Sequence, residues 1–227
     1  MPHQTGSDNL DFLDGYLFRT MVQILNSEGA DPAGFYNYYK ARVEQVGTAL
    51  SPYDRMLVDY VDAKFDRQNR RIVHGGTGLG TLPCALAFSG YTVAGVEQDM
   101  ARLRTAGRVH GALAEAWPAA AERYVLIGGE FPTVLADTPW MTPETVLIFT
   151  NCVATWSEDL AARLMASLST CGDVILDVRL FGQSRDTPEE RQMLIGQFEA
   201  QGLVALPIAE STPGAFYYHL QPRQIIP

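Results

Sequence analysis

The stretch that decides the fold is Arg71-Ile-Val-His-Gly-Gly-Thr-Gly-Leu-Gly-Thr81, followed by an apolar segment and then by Tyr91-Thr-Val-Ala-Gly-Val-Glu97. A short apolar run, a turn rich in glycine, an apolar helical pattern and a second apolar run predict a strand, a turn, a helix and a second strand. Glycines let the backbone come close to a ligand, and a carboxylate at the end of the second strand can accept hydrogen bonds from ribose hydroxyls. The stretch therefore predicts a parallel βαβ unit with a nucleoside site at its carboxyl end.

Outward from this unit, strands and helices alternate. The predicted strands lie near residues 71–75, 91–96, 123–127, 145–150, 173–178, 203–209 and 215–221. The predicted helices lie near residues 80–89, 99–116, 156–169 and 187–200. Alternation of this kind predicts a doubly wound, mostly parallel seven-stranded α/β sheet, because parallel strands need crossover connections. Only the sequence Glu210-Ser-Thr-Pro213 separates the last two strands, so we expect them to form a C-terminal antiparallel hairpin.

The residues before the glycine-rich turn have a helical pattern. The apolar side chains recur with helical period at Leu13, Leu17, Met21, Ile24 and Leu25. A second helix is predicted to begin after Ser51, because Ser51 can act as the N-cap, Pro52 suits the first helical position and Asp54 follows three residues after the cap.

The composition is that of an ordinary globular protein, and it limits the classes of partner that the chain is expected to bind. Of the 227 residues, 47% are hydrophobic and 19% are charged, and the formal net charge of −9 argues against a nucleic-acid partner. The three cysteines form no C-x-x-C pair, so neither a disulfide framework nor a metal site is expected. The first residues lack a secretory signal pattern and no apolar run approaches about 20 residues, so we expect a cytoplasmic protein without a membrane span.

Two classes of enzyme use a glycine-rich turn of this kind. The nicotinamide fingerprint is G-x-G-x-x-G, and its third glycine would fall on Thr81. Short-chain dehydrogenases also need a Tyr-x-x-x-Lys pair downstream of the turn, and here Tyr36 and Lys40 lie before it. An NAD(P)-dependent oxidoreductase is therefore an alternative. Its third glycine is missing, and its Tyr-x-x-x-Lys pair comes before the glycine-rich turn.

Residues 70–221 more closely resemble the class I S-adenosylmethionine-dependent methyltransferases. The first motif of that family is acidic-x-G-x-G-x-G, and its glycines match Gly76, Gly78 and Gly80. In the family an acid that holds the ribose ends the second strand, and Glu97 lies 17 positions after Gly80, at the usual spacing.

Two further features extend the resemblance. Leu126-Ile-Gly-Gly-Glu130-Phe131 is similar to the family's next motif, in which an acid after strand three accepts from the adenine amine and the neighbouring ring packs on the adenine. The closing antiparallel hairpin is also typical of that fold.

One position departs from the family pattern. The acid that opens the first motif helps to orient the methionine ammonium group in the family, and here its place is taken by His74. A neutral histidine can accept a hydrogen bond from that group, whereas a protonated one repels it. A non-catalytic relative that binds a nucleoside is therefore a third interpretation.

The resemblance implies S-adenosylmethionine as the cofactor and assigns residues to two groups. The implied cofactor-binding residues are His74, Gly75, Gly76, Gly78, Gly80, Glu97, Gln98, Glu130, Phe131 and Asn151. The residues expected to contact the acceptor are Tyr36, Tyr39, Tyr53, Trp156 and Arg179.

The resemblance also divides the chain and describes its chemistry. Residues 1–66 are expected to form a helical lid or cap, and residues 67–227 a Rossmann-like methyltransferase domain. No catalytic residue is implied, because methyl transfer from a sulfonium depends mainly on alignment of the reacting groups. The expected partner is a small-molecule acceptor, and a homodimer is one candidate assembly.

Overall fold

The structure is a computed structural model, which describes residues 6–27, 47–150, 170–177, 188–208 and 217–223. A seven-stranded sheet with the spatial order β3-β2-β1-β4-β5-β7-β6 forms its centre. The strands are β1 (Arg71–Gly75), β2 (Thr92–Glu97), β3 (Tyr124–Gly128), β4 (Thr145–Phe149), β5 (Asp173–Asp177), β6 (Leu203–Pro207) and β7 (Tyr217–Pro222). Strands β1 to β5 pair in parallel, and β7 is antiparallel to both β5 and β6. The predicted fold class is confirmed, including the C-terminal hairpin.

The strand order creates a switch point beside β1. The chain proceeds from β1 through β2 to β3 and then returns to β4 on the other side of β1. His74 in β1 is thus paired with Gly95 in β2 and with Ile148 in β4. Open α/β sheets bind ligands beyond the carboxyl ends of the strands at such a point.

Helices cover both faces of the sheet. They are α1 (Gly6–Ser27), α2 (Pro52–Lys64), α3 (Thr81–Phe88), α4 (Met100–Ala116), the short α5 (Pro118–Ala121) and α6 (Pro188–Ala200). Helices α1 to α5 pack in the core on one face, and Phe198 of α6 packs in the core on the other. This burial on both sides explains why all residues of β4 and β5 are buried and why the two strands are continuously apolar in their centres.

Helix α2 begins with the predicted capping box. The Ser51 hydroxyl accepts a hydrogen bond from the Asp54 amide at 3.1 Å, and the Asp54 carboxylate accepts one from the Ser51 amide at 2.8 Å. Pro52 occupies the first helical position. Two otherwise unsatisfied amides of the first turn are therefore satisfied, which sets the start of the helix.

A buried carboxylate joins α1 to α2. One oxygen of Asp14 accepts hydrogen bonds from the amides of Ala49 at 2.7 Å and Leu50 at 2.9 Å, and the other pairs with Arg55. The apolar face of α1, including Leu13 and Leu17, lies in the same core as the first face of the sheet. The division between a helical cap and a Rossmann-like domain at residue 66 stays a prediction.

The element bounds agree with the sequence-based expectations to within two residues. The short helix α5 and a single 3₁₀ turn at Thr133–Leu135 were not expected. The helix predicted near 156–169 lies outside the described residues. Among the described helices, none combines the length and apolar character that a membrane span requires.

Candidate functional site

The glycine-rich turn lies at the carboxyl end of β1 and leads into α3. Gly76, Gly78 and Gly80 have φ angles of 67°, 58° and 80°, in the left-handed region that side chains disfavour. The Thr77 amide donates to the Val96 carbonyl at 2.9 Å, which holds the turn against β2. Glycine at these positions is therefore required by the backbone path of the turn.

Glu97, the last residue of β2, holds the turn with its side chain. One carboxylate oxygen accepts from the Gly78 amide at 2.9 Å and the other accepts from the Asp99 amide at 2.9 Å. The residue is only 3% exposed, so its carboxylate is fixed in place. Because each carboxylate oxygen can accept two hydrogen bonds, each retains capacity for a ligand hydroxyl.

Two of the predicted cofactor-binding glycines are also closely packed against protein atoms. A Cβ atom at Gly80 would lie 2.8 Å from the hydroxyl oxygen of Tyr124, and one at Gly75 would lie 2.1 Å from the ring of Phe149. Protein packing alone thus excludes a side chain at Gly75 and Gly80, whereas Gly76 is exposed at the top of the turn.

Tyr124 places a polar group beneath the turn. Its hydroxyl is buried and forms no hydrogen bond of good geometry among the described residues, although the Thr77 hydroxyl lies beside it. Burial raises the pKa of Tyr124 well above its ordinary value, so the hydroxyl stays protonated.

His74 lies on the same face as Tyr124 and is buried with 3% exposure. Its Nε2 atom is 2.9 Å from the Thr150 hydroxyl, and its Nδ1 atom is 3.3 Å from the Thr77 hydroxyl. Burial lowers the pKa of His74 to about 4, so the ring is uncharged at neutral pH. An uncharged ring does not repel a cationic ligand.

The loop after β3 approaches the end of β2. The Gly129 amide donates to the Glu97 carbonyl at 3.0 Å, which brings the exposed Glu130 to the same edge of the sheet as Glu97. Phe131 is 8% exposed and packs edge-to-face against Phe149 at a centroid distance of 4.9 Å. Most of the Phe131 ring surface is thus already covered by protein.

Tyr53 is the predicted acceptor-contacting residue within the described ranges. It lies at the start of α2, with its ring 5.6 Å from that of Tyr217. Tyr217 is paired with Asp177, the last residue of β5. Tyr53 therefore lies near the carboxyl edge of the sheet, on the β5 side of the crevice.

The structure brings several predicted site residues together at the carboxyl edge of the sheet, and others lie outside the described residues. The described residues that gather there are His74, Gly75, Gly76, Gly78, Gly80, Glu97, Gln98, Glu130 and Phe131. The predicted residues that lie outside the described ranges are Tyr36, Tyr39, Asn151, Trp156 and Arg179. Within the described ranges, His, Cys, Asp and Glu side chains form no group of three or more that could hold a metal ion.

Sequence reasoning missed four side chains that contact the turn or its neighbours, namely Thr77, Tyr124, Phe149 and Thr150. One sequence signal was available for Thr150: it is a polar residue at the carboxyl end of a strand predicted over residues 145–150, which ends at the same edge as the turn. A tyrosine or phenylalanine within an apolar strand carries no comparable signal, because it is indistinguishable from an ordinary core residue.

No protein-family model matches the chain, and no curated protein matches its sequence. Its fold does match solved structures. A TehB-like SAM-dependent methyltransferase from Corynebacterium glutamicum is 16% identical with a TM-score of 0.56, covering 85% of this chain and 100% of that one. The CcbJ methyltransferase from Streptomyces caelestis is 14% identical with a TM-score of 0.55, covering 77% of this chain and 91% of that one.

A third match is the magnesium protoporphyrin IX methyltransferase from Synechocystis PCC 6803, solved with bound SAM. It is 14% identical with a TM-score of 0.53, and the match covers 97% of this chain and 98% of that one. At these identities the likeness establishes the fold, and the fold of this chain is that of the class I SAM-dependent methyltransferases.

Proposed function

We propose that the chain is an S-adenosylmethionine-dependent methyltransferase that acts on a small-molecule acceptor in the cytoplasm. The observation that carries the proposal is the fixed Glu97 carboxylate beside the glycine-rich turn, at the switch point of the sheet. The fold shared with solved methyltransferases supports it.

The donor and acceptor groups of the crevice suit a nucleoside. The Glu97 oxygens retain acceptor capacity for ribose hydroxyls, and the exposed Gly76 leaves room for close approach at the top of the turn. Glu130, exposed at the same edge, can accept from an exocyclic amine of the base. The residues present thus fit an adenosine moiety.

The chain's part in the chemistry is to bind and orient. S-adenosylmethionine, when bound, supplies a methyl group activated by its sulfonium. Because that group needs no further activation, alignment of the acceptor accounts for most of the acceleration. The uncharged His74 beneath the turn adds no positive charge that would disfavour a sulfonium or an ammonium nearby.

A small-molecule acceptor fits the charge of the chain and the position of Tyr53. A net charge of −9 repels the phosphates of a nucleic acid. Tyr53 is half-buried against the fully buried Tyr217, so its own ring is the aromatic surface at the β5 side of the crevice. An aromatic surface of this kind suits a compact organic acceptor.

The binding of S-adenosylhomocysteine, measured by calorimetry, tests the proposal. Removing a carboxylate that accepts two ribose hydrogen bonds costs about 10- to 100-fold in affinity, so we expect a loss of that size in Glu97→Ala. Glu115→Ala controls for the removal of a carboxylate outside the site, because Glu115 is exposed on α4. Thermal unfolding of each variant identifies any loss that comes from unfolding.

The other outcomes separate the alternatives. Equal affinity of Glu97→Ala and wild type would remove Glu97 from the site. Stabilisation by NADPH but not by S-adenosylhomocysteine would favour the oxidoreductase. Tight binding without turnover across a wide acceptor panel would favour a nucleoside-binding protein.

A further inference from the structure

The glycine-rich turn is held to β2 by two hydrogen bonds. The Thr77 amide donates to the Val96 carbonyl at 2.9 Å, and the Gly78 amide donates to the Glu97 carboxylate at 2.9 Å. Both bonds lie on the β2 side of the turn. The opposite side faces β4, the strand across the switch point.

His74 reaches from β1 to the end of β4. Its backbone register partner in β4 is Ile148, yet its Nε2 atom is 2.9 Å from the hydroxyl of Thr150, two residues further on. Its other ring nitrogen is 3.3 Å from the hydroxyl of Thr77 in the turn. The imidazole therefore lies between the turn and the carboxyl end of β4.

The bonding of this group is consistent with an uncharged ring. A neutral imidazole has one donor and one acceptor nitrogen, and a threonine hydroxyl can rotate to serve either. Thr77, His74 and Thr150 are each at most 5% exposed, so opening either contact would cost a buried ring nitrogen of His74 a hydrogen bond in a place that water does not reach. The contacts from Thr77 through His74 to Thr150 are therefore expected to stay formed, because breaking either of them is costly.

We propose that His74 is a positioning residue that joins the glycine-rich turn to the carboxyl end of β4, through Thr77 on one side and Thr150 on the other. In this role it does not contact the ligand, because both ring nitrogens are already within hydrogen-bonding distance of protein hydroxyls. It fixes the two sides of the crevice relative to each other. The statement about the ligand rests on the proposed function, whereas the bracing itself does not.

Amide hydrogen exchange in the ligand-free protein tests the bracing. We expect Thr150→Val to raise the exchange rates of the Thr77, Gly78 and Gly80 amides by about 10-fold, because a lost hydrogen bond lowers the free energy of local opening. Thr150→Ser keeps the hydroxyl and should restore the wild-type rates.

Thr145→Val is the matched control. Thr145 is buried at the other end of β4, and its hydroxyl donates to the Trp140 carbonyl at 2.6 Å. The same substitution there removes a buried hydrogen bond from the same strand but should leave exchange in the turn unchanged. In a His74→Asn background, Thr150→Val should have no further effect on the turn.

Unchanged turn exchange in Thr150→Val, or an equal increase in Thr145→Val, would overturn the proposal. If His74→Asn does not fold, NMR of the ring nitrogens of His74 in the wild-type protein tests whether the ring contacts the ligand. We expect one neutral tautomer whose nitrogen shifts hardly change when S-adenosylhomocysteine binds, and a change of tautomer or protonation on binding would show direct contact instead. Failure of S-adenosylhomocysteine to bind would count against the proposed function and leave the exchange test intact.

Discussion

At the scale of single residues, the side chains that hold the glycine-rich turn are almost fully buried. Glu97 and His74 are each 3% exposed, and both bond to the turn. An acid at the position of His74 would carry a charge into this buried place, whereas the imidazole remains neutral there. Replacement of an acid by histidine thus removes the cost of burying a charge.

The titration of His74 predicts how stability depends on pH. Burial lowers the pKa of the folded form to about 4 from the ordinary value of 6.5, so the unfolded chain binds the proton first as pH falls. The folded state therefore loses stability as pH falls through the window between these two values, and is not affected by this group above it.

Between pH 7.5 and pH 5, His74 should account for about 2 kcal/mol of lost free energy of unfolding. Urea unfolding of wild type and His74→Asn at both pH values measures this. The loss in the variant should be smaller by that amount, and equal losses in the two proteins would contradict the neutral state of the buried ring.

The residues of the candidate site differ in how far the sequence could predict them. The glycines and Glu97 have fixed spacing within one βαβ unit, so their meeting at one edge follows from local sequence. Thr150 lies 76 positions from His74, and their contact depends on the pairing of β4 beside β1. No local pattern encodes which side chain from a distant strand will reach a given neighbour.

At the scale of elements, glycine has opposite roles at two places in the chain. Gly107 and Gly111 are exposed in the middle of α4, and a Cβ at either would meet no atom within 4 Å. Gly80 caps α3 with a φ of 80°, and a Cβ there would meet the Tyr124 hydroxyl. The effect of an alanine substitution on stability therefore depends on helix propensity alone in α4. At Gly80 it depends on backbone conformation and packing.

We expect Gly107→Ala and Gly111→Ala each to raise the free energy of unfolding by about 0.5–1 kcal/mol, because alanine favours the helix. Gly80→Ala should lower it by at least about 1 kcal/mol, since alanine is strained in the left-handed region. Chemical unfolding at one pH compares the three variants. A stabilised Gly80→Ala variant would show that the turn can adopt another backbone path.

The elements themselves were largely predictable, and the reasons are local. Strand ends were set by apolar runs and glycine turns, and the start of α2 was set by the capping box at Ser51 and Asp54. The short helix α5 and the 3₁₀ turn at Thr133–Leu135 were missed, because segments of three or four residues have too few positions to show a period.

At the scale of the whole molecule, the described helices before β1 share their core with the sheet. Leu13 and Leu17 of α1 are fully buried in the same cluster as Ile72 of β1 and Ile148 of β4. A segment that contributes to a common core is expected to unfold together with it, in one cooperative transition. Whether the predicted helical lid or cap over residues 1–66 unfolds together with the sheet can be tested in these terms.

Asp14 and Asp11 provide a matched pair for that test, because both bind Arg55. The Asp14 side chain is 3% exposed and also accepts from the amides of Ala49 and Leu50, whereas the Asp11 side chain is 65% exposed. We expect Asp14→Ala to lower the free energy of unfolding by about 2–3 kcal/mol, since it leaves the buried Leu50 amide and the half-buried Ala49 amide without this acceptor. Asp11→Ala should cost less than about 1 kcal/mol, as exposed ion pairs do. Calorimetry of both variants should show a single transition, lowered mainly in Asp14→Ala; a separate early transition in Asp14→Ala would show that the N-terminal helices unfold independently of the sheet.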